Sequence, residues 1–174
     1  MIAATMPPGR HEAAPYYFSY IDLVPQGDVC TILGRQHADV LRRLEFIPDA
    51  KGSHRYAPGK WSVSEVISHL SDTERMLSFR AFWFARGFDT PLPSFEQDIA
   101  AEFAGADAQI LRQHVEEFGA VRAATINLFR HLPEEAWERS GIASGSPFTV
   151  RALAFIIAGH VAHHLAILEQ RYGI

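Results

Sequence analysis

"IIAGHVAHHLAIL", residues 156–168, sets His160, His163 and His164 inside the most apolar run of the chain. An imidazole beside isoleucine and leucine is costly to bury unless its ring nitrogens find partners. The run from Ala152 to Leu168 is slightly short to span a bilayer, and three histidines would be expensive there. A buried core helix is therefore the expected form, with no membrane partner. Each helical residue turns about 100°, so with Leu153 at zero His160 falls near −20°, His164 near +20° and Ile157 near +40°. Both histidines then share the stripe that faces a core, and His163 falls near −80°, at its edge.

Working outward, Thr149 is placed to cap this helix, which should run to about Tyr172. "RSGIASGSPF" before it reads as a loop, and a helix over Asp107–His131 should stop ahead of Pro133. "GFDTPLPSFEQD" is a long, proline-bearing connection. In "WSVSEV", Ser62 followed three residues later by Glu65 forms a capping box that opens a helix ending near Arg86, where Gly87 terminates it. A further helical pattern opens after Asp28 and continues to about Leu44, closed by Pro48. Residues 1–15, with Pro7, Pro8, Gly9 and Pro15, read as a flexible leader. No run shows sustained strand alternation. The expected fold is all-α: residues 16–174 as one four-helix-bundle domain with two longer connections.

His160 and His164, spaced i and i+4, can aim two imidazoles at one point, as helical metal motifs do. Nine histidines in 174 positions give roughly half such a pair by chance, so spacing alone decides little. The competing expectation is a pair hydrogen-bonded to each other or to backbone carbonyls. A tetrahedral site with one open position needs a third protein ligand. The candidate is His69, about 60° from the inward-facing Val66 and so on the flank of its helix's core stripe; the competing expectation is a satisfied boundary residue. His114 and His131 sit on a helix with polar faces, His11 and His54 fall in loops, and His37 reads as a partly exposed helix residue. Glu96 and Asp98 in "FEQD" offer carboxylates, though a solvated loop would use them equally well.

The net charge is −4, apolar residues make up 48% and charged residues 21%, and no lysine–arginine block stands out. That profile belongs to a globular protein and disfavours a nucleic-acid partner. Cys30 is the single cysteine, so an intrachain disulfide and a cysteine-rich metal knuckle are both excluded, and no local signature marks it as a nucleophile. No secretory signal is apparent in "MIAATMPPGRHEAAPYY", and the cytoplasm is the expected compartment.

The segments "GKWSVSEVISHLSDTERMLSFR" and "TVRALAFIIAGHVAHHLAIL" resemble the DinB-like, or DinB/YfiT-like, superfamily of metalloenzymes from about residue 25 to the end. "ARGFDTPLPSFEQD" is similar to that family's connection between its second and third helices. The resemblance implies a four-helix bundle holding a divalent ion, zinc or nickel, on His69, His160 and His164, with His163 beside the last ligand but outside the set. It also implies a homodimer, and S-transfer with a small thiol such as bacillithiol or mycothiol in some members, hydrolysis in others. The leading expectation is thus a metal-dependent small-thiol S-transferase. The alternatives are a metal-dependent hydrolase, for which Glu96 or Asp98 folded over the site would serve as base, and a metal-binding stress-response module without turnover. Catalytic residues other than the ligands are not named by any motif.

Two physical expectations complete this reading. Protons compete with a metal for histidine, so affinity should fall as pH drops through about 6. Phe79 and Phe82 lie about 140–160° from Val66, on the outward side of their helix, so another surface should cover them: a second copy or the chain's own "YYFSY".

Overall fold

A computed structural model describes residues 4–174. Its helices are α1 (Phe18–Ile21), α2 (Val29–Glu45), α3 (Val63–Ala85), α4 (Gln97–Ala104), α5 (Leu111–Arg130) and α6 (Val150–Ile167), the last continuing as a π-helical turn over Leu168–Tyr172. The long helices start where the caps dictate. The Asp28 carboxylate accepts from the Thr31 N–H at 2.7 Å, and the Thr149 hydroxyl accepts from the Ala152 N–H at 3.0 Å. Ser62 and Glu65 complete both halves of the capping box. Each such cap stabilises its helix by about 1 kcal/mol. Gly87, at φ +81°, ends α3 in the left-handed conformation that glycine adopts without strain.

α3 packs between α5 and α6, and α2 packs between the same two from the opposite side. Two apolar clusters fill the bundle. The larger contains Leu33, Leu77, Ile126, Phe129, Trp137, Phe148 and Leu153, and the smaller contains Val40, Val66, Leu70, Phe118, Val161 and Leu168. Along α2 and α6 the chain runs from the larger cluster to the smaller; along α3 and α5 it runs the other way. The neighbours α3 and α5 are therefore parallel. Parallel neighbours need a crossover, and residues 86–110 must travel the length of the bundle to supply it. α4 is part of that return path and arrives at the end of the bundle where α3 begins.

The structure departs from the sequence-based expectation at four places. "RSGIASGSPF" is not an open loop but a β-hairpin, β1 (Ser140–Ala143) against β2 (Ser146–Thr149), with Gly141 opposite Phe148. Its turn residues Ser144 and Gly145 take φ +51° and +73°, the pair of positive angles a tight hairpin turn requires. The long connection contains the helix α4, whose short apolar stripe of Ile99, Ala100, Phe103 and Ala104 follows helical spacing although none of its residues is buried. α5 starts at Leu111 and not at Asp107, because the Asp107 carboxylate accepts from the Ser62 hydroxyl at 2.6 Å and from Arg55 at 2.5 Å. Finally, the leader is packed and not loose over residues 4–15. Ala4, Glu12 and Ala13 are buried, and Glu12 pairs with Arg151 at 2.6 Å and accepts from Thr149 at 2.7 Å. The part of the leader over residues 1–3 lies outside the described residues.

Phe79 and Phe82 are outward and exposed, as expected. "YYFSY" does not cover them. Tyr17 packs edge-on against Phe148 and Tyr20 against His160, on the α6 side of the bundle. α6 with its π turn is long and apolar enough to cross a membrane by composition, and most of it is buried among the other helices.

Candidate metal centre

α3 and α6 bring His69, His160 and His164 together. The Nε2 atoms of His69 and His160 are 3.1 Å apart, and the ring centroids lie 5.0 Å (His69–His160), 4.9 Å (His69–His164) and 4.5 Å (His160–His164) from one another. One ring nitrogen from each falls within 4.8 Å of the others. His69 and His160 are 4% and 5% exposed. The i,i+4 pair owes its position to the apolar stripe of α6, and His69 to the flank of α3 that meets it.

Neighbouring side chains hold the rings and close the site. The Thr73 hydroxyl lies 3.3 Å from His69 Nδ1, one turn along α3. Trp61, just ahead of the capping box, lays its ring 4.8 Å from that of His69. On the other side Tyr20 meets His160 and His163 edge-on. This contact depends on Gly159, where an added Cβ would lie 2.0 Å from the Tyr20 carbonyl oxygen. Only a residue without a side chain lets α1 cross α6 so closely. His163 turns toward Tyr20 and stays outside the cluster.

Two cavities flank the histidines. One of about 310 Å³ is lined by Tyr17, Tyr20, Thr73, Glu96, Asp98 and His160, and one of about 290 Å³ by Trp61, Asp98, His164 and Tyr172. Asp98 lines both. The crossover from α3 to α5 thus delivers a carboxylate to the mouth of the cluster, as the sequence allowed for Glu96 and Asp98. A larger cavity of about 870 Å³ lies between α2 and α5, beside His37, and touches none of the three histidines.

Burial keeps these imidazoles neutral. Desolvation pulls His69 down to about 4, with the Asp98 charge opposing part of the fall. Desolvation, reinforced by the neighbouring histidines, holds His164 at about 3 and His160 well below the usual range. The rings are therefore unprotonated at neutral pH, the form in which histidine donates to a metal.

The donor set suits a divalent ion. The His69–His160 contact is the mutual hydrogen bond that the sequence left open, but it can satisfy only two of the three rings. Nδ1 of His164 is buried without a partner. Tetrahedral zinc, bound at about 2.0–2.1 Å, separates its nitrogen ligands by about 3.3 Å. The closest pair stands near that spacing at 3.1 Å, and one ring nitrogen from each of the three histidines lies within 4.8 Å of the others. With Nε2 of His69 turned to the cluster, its Nδ1–H donates to Thr73, the outer contact that orients metal-binding histidines.

The other histidines have separate roles or none. His114 is buried and its Nε2–H donates to the Ala106 carbonyl at 2.9 Å, tying α5 to the preceding turn. His131 bonds the Asn127 carbonyl, while His11 and His54 are exposed. Cys30 is buried and its thiol is pushed up to about 11 by desolvation and Asp28, the opposite of an activated nucleophile. Trp61, Thr73 and Tyr20 were missed from sequence. For Thr73 a signal existed, since it follows His69 by one helical turn.

A family model described as the DinB superfamily matches residues 32–168. YfiT from Bacillus subtilis, described as a probable metal-dependent hydrolase with an unusual four-helix bundle topology, is similar at a TM-score of 0.73 and 16% identity over 99% of each chain. The mycothiol-dependent maleylpyruvate isomerase is similar at a TM-score of 0.66 and 16% identity, over 79% of this chain and 58% of that one. These two likenesses carry the fold. No curated protein sequence matches the chain.

Proposed function

Because the chain belongs to the DinB superfamily, we propose that His69, His160 and His164 seat one divalent ion, zinc or nickel, in an enzyme that hydrolyses a small molecule. The observation that carries hydrolysis over the other chemistries is the place of Asp98, which lines both cavities beside the cluster and whose charge reaches His69. The ion supplies Lewis-acid polarisation and activates a nucleophile at neutral pH.

The chain's own residues do the rest. The imidazoles arrive already deprotonated, so binding the ion releases no ring proton from them. Thr73 fixes the direction of His69, and Trp61 and Tyr20 wall the cluster against bulk water. Asp98, exposed at the edge of both cavities, is placed to accept a proton from the attacking water and return it to the leaving group. Tyr17 and Tyr20 line the cavity of about 310 Å³ beside His160, whose size suits a substrate of a few heavy atoms.

Thiol transfer is the second reading, supported by the family resemblance and by the fold shared with a mycothiol-dependent enzyme. A thiol that loses its proton on binding needs no carboxylate base, so Asp98 separates the two. Zinc-loaded protein would be assayed against esters and amides without thiol, and against epoxides and chloro-aromatics with glutathione, cysteine or a bacillithiol analogue. Hydrolysis that disappears in His69→Ala and falls at least tenfold in Asp98→Asn supports the first reading. Turnover that requires thiol and survives Asp98→Asn replaces it with the second, and no turnover in either arm leaves a metal-binding module. The exposed Phe79–Phe82 face is where we propose a second copy docks; a monomer by sedimentation would contradict that.

A further inference from the structure

One polar chain threads all four long helices. Arg122 of α5 donates from Nε and Nη2 to the two carboxylate oxygens of Glu74 on α3, each at 2.7 Å. Its Nη1 donates to Gln36 Oε1 on α2 at 2.7 Å, and Gln36 Nε2 donates to the Ala158 carbonyl on α6 at 2.8 Å. Arg122 is 0% exposed and Glu74 2%.

The network occupies a single level of the bundle. Gln36 lies between Leu33 of the larger apolar cluster and Val40 of the smaller; Glu74 between Leu77 and Leu70; Arg122 between Ile126 and Phe118. It forms a polar layer separating two apolar ones. Apolar packing is non-directional and tolerates sliding of one helix along another. A bidentate arginine pair and an amide bridge do not, since a shift of one residue leaves buried charges unpaired. Buried ionic groups are weak contributors to stability, and their best-attested use is to fix register.

Register matters here because the ligands come from two helices. Glu74 is next to Thr73, which holds His69, and Ala158 is two residues before His160. We propose that the Glu74–Arg122–Gln36 network is a positioning device for the metal centre. It fixes α3 against α6 so that His69 meets His160 and His164, although α2 and α5 contribute no ligand. This inference rests on the metal reading above.

The test is to replace the layer by apolar side chains of similar volume, Gln36→Leu with Glu74→Met and Arg122→Met, and to measure zinc affinity by competition with a chromophoric chelator. Visible spectra of the cobalt-loaded proteins accompany the titration. The expected result is a helical protein whose thermal midpoint is unchanged or higher, whose zinc affinity falls at least tenfold and whose cobalt bands shift. If the triple variant does not fold, Gln36→Leu alone decides, because it cuts the link to α6 and keeps the Glu74–Arg122 pair; a loss of at least threefold is expected. A folded variant that binds within twofold of wild type, with unshifted cobalt bands, overturns the positioning role and leaves the metal centre intact. Wild-type protein that binds no metal overturns both.

Discussion

Glu74 and Arg122 are buried as deeply as His69 and His160, and each pair joins α3 to another long helix. The ionic layer is complete: each Glu74 oxygen accepts from Arg122, whose remaining Nη1 goes to Gln36. The histidine cluster is not. It has one internal hydrogen bond between two of its three rings and a buried nitrogen on His164 without a partner among the described residues. A polar group that closes on itself specifies structure. One left open inside an apolar core costs stability unless something else completes it, and a divalent cation is what we propose completes these three imidazoles.

The largest expected effect attacks the closed group. Arg122→Met strands the Glu74 carboxylate in the core and should cost about 3–5 kcal/mol, read from urea unfolding at pH 7. A cost under about 1 kcal/mol would place the two groups on the same footing and erase the contrast. Opening the other group should behave in reverse. His160→Ala should weaken zinc binding at least hundredfold, about 2.7 kcal/mol, while metal-free stability changes far less than in Arg122→Met.

Acid sharpens the comparison further. The histidines' folded pKa values lie below the unfolded value of about 6.5, so the unfolded chain binds more protons between the two. Their contribution to stability is therefore full above about pH 6.5 and is lost as pH falls through 6 toward 4. For His69, at about 4 when folded, the loss at pH 5 is about 2 kcal/mol, measurable as a lower urea midpoint in metal-free protein. The same burial revises the sequence-based expectation for the folded site. Zinc affinity should stay nearly level from pH 8 to about 5 and fall below that, not through 6, because the rings remain unprotonated until then.

Smaller changes probe the surroundings. Thr73→Val removes the hydroxyl beside His69 Nδ1 and should lower zinc affinity about tenfold. His163→Ala should alter it less than about twofold, since that ring faces Tyr20; a larger loss would admit His163 to the ligand set.

Much of this was legible in the chain. The caps at Asp28, Ser62 and Thr149 announce themselves through side-chain chemistry that acts within three residues, and the helices follow. The convergence of His160 with His164 is local as well, fixed by helical periodicity. What stayed hidden depends on contacts between distant segments. Asp107 sits in a short 3₁₀ turn ahead of α5 and bonds Ser62, Glu12 pairs with Arg151 across most of the sequence, and nothing local ties Gln36, Glu74 and Arg122 to one another. α4 is only eight residues long, and its apolar stripe of Ile99, Ala100, Phe103 and Ala104 covers about two turns. That is too short to stand out after the prolines, yet the helix brings Asp98 to the site. The hairpin was marked only by Ser144 and Gly145 between two short strands.

The contrast between a closed and an open polar cluster is tested most directly by the metal content of the protein itself. The chain would be purified without a histidine tag or added metal, and its zinc, nickel and other divalent ions counted by elemental analysis beside His160→Ala prepared identically. About one divalent ion per chain in wild type, with more than half of it lost in the variant, is the expected result. Wild-type protein without a bound ion, or a variant that keeps most of its metal, would contradict the assignment of His69, His160 and His164 as its seat.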